Sequence, residues 1–454
     1  MKKVLFVVLL LCVLAVGGVA TLVVMSFNPG SYEKQVIAAL QKLTGREVKI
    51  GGATSIQWNP MPTITLNDLR LSNIDKSAEA DMLTIERVRV VISWASLLKT
   101  PFEIKRIELT RPQLLLERLE NNRSNFAFPF LIDPQFKFDE LSVLDGNNGT
   151  PLPQTRIDTL VIQDGSIHYV NRITASDITL SDLGGTLSAD TVRGPFAFTG
   201  RGTLGNKQYD IQMTSGRVQS ETAVPVSLNL TEQTMGLNLA LTGDFTPVKL
   251  DKWLQLSGSF STGDVNALTD TWGLPALVSR DRIPASGSLT LELAPMADSI
   301  RDFSITLGTG ETASALTGTI EKSLTDHRPK YRVSVAFNRL DRNLFAGYLS
   351  YLNWSSLSGE KTLPDITFDL LLETVPMLNG TAKKVQLAGE FANGFLTVDK
   401  SSAQLPGETV IQFMGKGGIV EQTPTLDLDI RGETKEPATL LTWLTQGTFN
   451  GDKR

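Results

Sequence analysis

From Val48 onward, apolar positions recur at a period of two. Val48/Ile50, Ile64/Leu66, Leu69/Leu71, Val88/Val90/Ile92 and Ile107/Leu109 are separated mostly by polar or charged residues. A period of two sends alternate side chains to opposite sides of a strand, so one side is apolar and the other wet. Gly, Asn, Asp and Pro punctuate these runs roughly every eight to fifteen residues, which predicts a long meander of antiparallel strands. The charged residues Glu86, Arg87, Arg89, Lys105, Arg106 and Glu108 read as the solvated side.

Two other patterns precede the strands. Residues 4–27 carry no charge, and about 20 apolar residues at 1.5 Å rise cross a ~30 Å hydrocarbon core. Lys2 and Lys3 lie before this run and no positive charge follows until Lys34. The N-terminus is therefore expected in the cytoplasm and the rest of the chain across the membrane. A cleaved signal peptide is the alternative, because Gly18 and Ala20 offer small residues for cleavage, although the apolar run continues beyond them. Either way the remainder is exported. Leu11 before Cys12 argues against a lipoprotein signal.

After the break at Asn28-Pro29-Gly30-Ser31, Tyr32, Val36, Leu40 and Leu43 form one stripe of a short helix. Pro29 or Ser31 suits its start and Gly45 its end. Such a helix either caps the core of the β region after it or lies on the membrane surface.

Two internal regularities stand out. Ile104, Ile107, Leu109, Pro112, Leu114 and Leu116 recur at matching spacing as Ile157, Leu160, Ile162, Gly165, Ile167 and Tyr169. This reads as a repeated strand pair, with Pro112 and Gly165 in the same turn slot. Further on, a strand, a turn and a short helix end three times in an aromatic-Leu pair, at Trp253-Leu254, Tyr348-Leu349 and Trp443-Leu444. The aromatic positions are 95 residues apart both times (348 − 253 and 443 − 348). A fixed period indicates stacked units that bury their apolar faces against neighbours. The expected divisions are an anchor at 1–27, a β region with its leading amphipathic helix at 28–156, and a β-rich repeating body at 157–454.

Composition narrows the chemistry. The chain has 454 residues, 43 Lys+Arg against 48 Asp+Glu, two His and one Cys. The slight negative charge and the absence of a basic block give no pull toward nucleic acid. One Cys makes no internal disulfide and no thiolate metal site. His168 and His327 lie far apart and leave little for metal or acid-base work. Gly200-Arg-Gly202-Thr-Leu-Gly205 spells GxGxxG, but the alternating residues after it predict a strand, where a dinucleotide site needs a helix. It reads as a hairpin. Ser96-Leu-Leu-Lys99 spells SxxK without a companion motif. His168 lies between Ile167 and Tyr169, hence on the polar face, and His327 sits in a turn. No enzyme, no metal and no cofactor are expected.

The N-terminal pattern resembles a known family. Leu43-Thr44-Gly45-Arg46 follows the anchor, then Trp58-Asn59-Pro60-Met61-Pro62, Leu69-Arg70-Leu71-Ser72-Asn73, Trp94-Ala95-Ser96-Leu97-Leu98, and Asn122-Arg123-Ser124-Asn125-Phe126. This ordered set resembles the AsmA family of Gram-negative envelope proteins over about residues 1–170. Leu405-Pro406-Gly407-Glu408-Thr409 and Pro437-Ala-Thr-Leu440-Leu441-Thr-Trp443-Leu444 are similar to family members as well. The resemblance implies an inner-membrane-anchored periplasmic protein with a long twisted antiparallel β groove, related to bridge-like lipid-transfer proteins. Its partners would be membrane phospholipids and other envelope proteins, and its work outer-membrane lipid homeostasis and biogenesis. A structural or regulatory factor in outer-membrane protein assembly is the alternative.

The expected groove lining is Leu69, Leu71, Val88, Val90, Ile107, Leu109, Leu114, Leu116, Leu160, Ile162, Ile167 and Tyr169. A two-chain phospholipid carries roughly 30 methylenes at about 0.8 kcal/mol each, so on the order of 25 kcal/mol opposes its passage through water. An apolar gutter offsets most of that. A closed core, with the apolar faces packed on a second layer, is the competing expectation.

Overall fold

The computed structural model describes residues 37, 40–41, 44–94, 103–121, 123–128, 156–172, 176–191, 194–217, 223–246, 254–271, 282–293, 297–325, 328–339, 365–377, 380–420 and 423–445. Residues 4–27, Ser96–Lys99, His327, Trp253 and Tyr348 lie outside this set. No helix among the described residues is long and apolar enough to cross a membrane. Two compact units emerge, Met1–Glu232 with Ala240–Leu254, and Gln233–Leu239 with Gln255–Arg454.

The first unit contains β1 (Val48–Ile50), β2 (Ser55–Gln57), β3 (Thr63–Ser72), β4 (Asp81–Ile92), β5 (Glu103–Arg118), β6 (Arg156–Asn171), β7 (Ser176–Ala189), β8 (Phe196–Leu204), β9 (Lys207–Ser215) and β10 (Val224–Glu232). β1 and β2 pair with opposite ends of β3, and β3 through β10 then pair in chain order. Ile37, Leu40, Gln41 and Thr44 are helical. Gly45, at φ 66°, donates its N–H to the Gln41 carbonyl at 2.7 Å and turns the chain toward β1, the geometry of a glycine helix end.

The sheet is mixed, which corrects the all-antiparallel expectation. β5 and β6 run parallel, with Ile104 opposite Ile157, Leu109 opposite Ile162 and Leu116 opposite Tyr169. The sequence repeat with offset 53 (157 − 104) is thus the pairing register itself. Residues 119–155 make the crossover, long enough for a parallel connection where a tight turn is not.

Nor do Pro112 and Gly165 sit in turns. Each lies inside one continuous strand, directly after a residue with left-handed backbone, Arg111 (φ 47°) and Asp164 (φ 53°). Asp68 (φ 56°) and Asp182 (φ 49°) do the same in β3 and β7. At each kink the buried set changes parity: Leu66 to Leu69, Ile85 to Val88, Leu109 to Pro112, Ile162 to Gly165. Asp68 lies opposite Glu86, and Glu86 opposite Arg111, between flanking in-register pairs. The kinks therefore form a row across adjacent strands, re-aiming every strand so that apolar side chains stay on one side. The apolar pairs Ile64/Leu66 and Leu69/Leu71 are two halves of β3.

β11 (Leu237–Phe245) is divided between the units. The second unit goes on with β12 (Leu254–Thr262), helix α1 (Val265–Thr271), β13 (Ala285–Leu293), β14 (Ala297–Leu307), β15 (Ser314–Thr325), β16 (Arg328–Phe337), β17 (Asp365–Met377), β18 (Gly380–Ala392), β19 (Phe395–Leu405), β20 (Thr409–Val420), β21 (Thr423–Glu433) and helix α2 (Pro437–Leu444). β13 to β21 pair in chain order, antiparallel except β16–β17, whose crossover is residues 338–364. Asp264 caps α1 through its carboxylate, which accepts the Asn266 and Ala267 N–H groups at 3.0 and 3.3 Å. Val265 of α1 packs with Ala285 and Leu307 beside Phe260, Ile283, Ile305 and Leu316, covering that end of the sheet. Trp443 is the buried residue of α2, and its indole N–H donates to the Met377 carbonyl at 3.2 Å. At the third repeat, the helix-ending aromatic thus pins the helix to the β17–β18 turn.

Candidate lipid-contacting face

In the first unit the expected lining residues lie together on one side of β3 to β6, as their pairing requires. They are sealed. Val88, Val90, Ile107, Leu109, Leu116 and Leu160 have no exposed surface, and Leu69, Leu71, Leu114, Ile162 and Ile167 are buried. Tyr169 is half-buried. An acyl chain reaches these side chains only by displacing what covers them.

The second unit differs. Residues directly opposite in a ladder share a face, so the register identifies its apolar side without ambiguity. Phe303 faces Gly318, Gly318 faces Val335, and Val335 faces Leu370. From Leu370 the row continues through Leu387. A neighbouring row runs Val333, Phe368, Gly389, Val398, Gly415 and Leu428. Along these rows burial declines. Phe303 is buried, Phe368, Leu370, Leu387 and Val398 are half-buried, and on β21 Leu426, Leu428 and Ile430 are 73%, 44% and 61% exposed. An aliphatic row this exposed is unusual for a soluble surface.

Glycines on that face mark where the next strand comes closest. A Cβ at Gly389 would lie 2.0 Å from the Thr397 carbonyl oxygen, and one at Gly415 2.3 Å from that of Asp427. Glycine permits that approach because it brings no side chain.

The opposite side carries charge. Arg301 joins Glu292 at 3.0 Å and Glu321 at 3.3 Å, and Arg332 reaches Glu321 at 3.3 Å. Lys416 lies 4.5 Å from the Phe395 ring centre. That side also exposes Leu371, Val410 and Met414, so it is the charged residues, concentrated on it in these strands, that set the two sides apart.

The sequence reading placed the lining only at residues 69–169 and passed over Leu426-Asp-Leu428-Asp-Ile430, an alternation as regular as any used. Its exposure follows from β21 having β20 as its paired neighbour among the described residues, which periodicity does not reveal.

Two resemblance segments meet in a buried polar cluster. The Glu117 carboxylate, 1% exposed in its side chain, binds Arg172 at 2.6 Å and accepts from Ser77 and from the Ala78 N–H at 3.3 Å. Asn125 bridges: its carboxamide accepts the Glu117 N–H at 2.8 Å and donates to Leu115 and Asn73 at 2.9 and 3.1 Å. Arg46 donates to the Asn125 carbonyl at 3.1 Å. Burial pushes the Glu117 pKa up, but hydrogen bonds from Ser77, Arg172 and Ala78 and the Arg172 charge outweigh it, and the net direction is down. Asn73 and Asn125 thereby tie the β3–β4 turn, the loop after β5 and the end of β6 together.

The remaining motifs resolve simply. Gly200 and Gly202 lie within β8, and Gly205-Asn206 makes a two-residue hairpin between Leu204 and Lys207, as expected. His168 does have a carboxylate partner, Asp177 at 2.8 Å, which the sequence reading missed because the two meet across strands. Both side chains are exposed. Among the described residues, no group of three or more His, Cys, Asp or Glu side chains is arranged to hold a metal.

No curated protein sequence and no solved structure matches the chain. The model of the AsmA family matches residues 1–243, a little over half the sequence, and takes in the Asn73–Asn125 cluster and the whole row of kinks. On that match, the chain belongs to the AsmA family.

Proposed function

We propose that this protein is held in the inner membrane by residues 4–27, lies in the periplasm, and binds or conducts phospholipids along the apolar face of its second unit. Its contribution is to outer-membrane lipid homeostasis and biogenesis. AsmA family membership supports the setting. The observation that carries the lipid reading is the row from Phe368 to Leu428, without a polar side chain, closely approached by the next strand at Gly389 and Gly415, and open at β21. Tails lying on such a face are shielded from water on one side while the headgroup stays solvated. No bond is made or broken, so no catalytic residue or cofactor is required.

Binding of a fluorescent phospholipid by the purified full chain tests this. The Leu426→Asp/Ile430→Asp variant is expected to lose binding, and Asp427→Ser/Asp429→Ser to retain it. Equal binding by both variants rejects the reading.

The sealed lining of the first unit favours a second reading, a structural or regulatory factor in outer-membrane protein assembly. It predicts that envelope function survives Leu426→Asp/Ile430→Asp and fails when exposed charges such as Arg301 and Arg332 are replaced.

A further inference from the structure

Trp58 and Trp94 form an exposed stacked pair at one end of the first unit's sheet. Their ring centres are 6.3 Å apart with planes inclined 29°, and each ring is about half exposed, at 48% and 49%. Met61, 41% exposed, lies in the same β2–β3 connection as Trp58, and Trp94 follows β4. The Trp94 indole N–H already donates to the Pro60 carbonyl at 2.9 Å, so what this ring offers outward is hydrocarbon. Packing does not explain two stacked indoles left half exposed, with an exposed methionine three residues along the chain from one of them.

We infer that the Trp58–Trp94–Met61 cluster rests in the headgroup–acyl boundary of the bilayer that holds residues 4–27, and so fixes how the sheet stands on that membrane. Indole rings with one polar and one apolar side favour that depth. The tether is long enough. Leu40 is buried on the protein 13 residues after Phe27 (40 − 27); with Ile37 already helical, about ten extended residues and one helical turn reach up to about 38 Å. The ten-residue β3, which separates the Gly45 end from the tryptophan end, spans about 33 Å. The inference rests on residues 4–27 being a membrane segment and is independent of lipid passage along the second unit.

The test uses the full chain in phosphatidylethanolamine–phosphatidylglycerol vesicles, with Cys12→Ser removing the native cysteine and a nitroxide attached at Met61→Cys. The same label at Glu79→Cys, in the turn at the far end of β3 and β4, is the aqueous reference. At position 61, accessibility to oxygen relative to a water-soluble nickel chelate is expected to exceed that at position 79 severalfold. Adding Trp58→Ala and Trp94→Ala should lower the ratio at 61 toward the reference. A ratio at 61 equal to that at 79 overturns the inference. So does shielding from both reagents, which would mean that protein covers the cluster. Because residues 4–27 keep the chain in the vesicle in every variant, failure here is distinct from failure of the anchor, which flotation of the vesicles reports.

Discussion

Deleting Arg111 and replacing it with glycine should have opposite consequences, although both remove the same exposed side chain. Arg111 holds a left-handed φ of 47° and steps the buried set of β5 from Leu109 to Pro112, Leu114 and Leu116. β4 and β6 make the same step at Glu86 and Asp164, so a β5 one residue shorter falls out of phase with both neighbours. Leu114 and Leu116, 5% and 0% exposed, would then change sides with Leu115 and Glu117, 7% and 1% exposed, and the Glu117 carboxylate would leave Arg172 for the apolar side. Breaking a buried, hydrogen-bonded ion pair costs about 3–5 kcal/mol, so the deletion should cost at least that much. That is a large part of the ~5–15 kcal/mol that holds a domain folded. Arg111→Gly keeps the phase. It relieves about 1–2 kcal/mol of left-handed strain, against about 0.5–1 kcal/mol of glycine entropy and up to ~1 kcal/mol for the exposed pair with Glu86. Its stability should stay within about 1 kcal/mol of the parent. Urea unfolding of the detergent-solubilised chain, read by pulse proteolysis, separates the cases. A deletion that costs no more than the glycine variant would refute the kink account.

Three further outcomes are expected from the geometry. Glu117→Gln should destabilise the first unit by about 2–3 kcal/mol, because Arg172 loses its buried partner. The Glu117 pKa is depressed in the folded state, so the stability it adds is present above the ordinary carboxylate range and is lost as pH falls through its folded value; Glu117→Gln should flatten that acid limb in pH-dependent unfolding. Gly415→Ala places a methyl 2.3 Å from the Asp427 carbonyl oxygen and should cost about 1–3 kcal/mol by forcing β21 off β20, seen as faster amide exchange along β21. His168→Ala, removing an exposed pair with Asp177, should change stability by less than about 1 kcal/mol and leave phospholipid binding intact.

Strand content and face were legible in the sequence because period-two burial is a local property. The helix end at Gly45 and the hairpin at Gly205-Asn206 were legible because glycine in those slots has a specific backbone role. Sheet direction was not. The offset-53 repeat pointed to equivalence between β5 and β6, but only the 119–155 crossover makes them parallel neighbours. The kinks were visible in outline, since Leu66-x-x-Leu69 and Ile162-x-x-Gly165 break the alternation by one residue. They read as turns because a left-handed Asp inside a strand and one in a hairpin give the same local signal. Whether the apolar face is covered or open was least legible. Leu109 and Leu428 follow the same alternation, yet one has no exposed surface and the other is 44% exposed; what differs is which elements cover them, a non-local fact.

The most direct measurement places a photo-crosslinking residue in the full chain, in its native envelope, at Leu428, at the adjacent Asp427 and at Leu109. Phospholipid adducts should form at Leu428 and at neither of the other two positions, because Asp427 points to the polar side and Leu109 is sealed. Adducts at Asp427 as abundant as at Leu428, or none at Leu428, would contradict lipid occupancy of the second unit's apolar face.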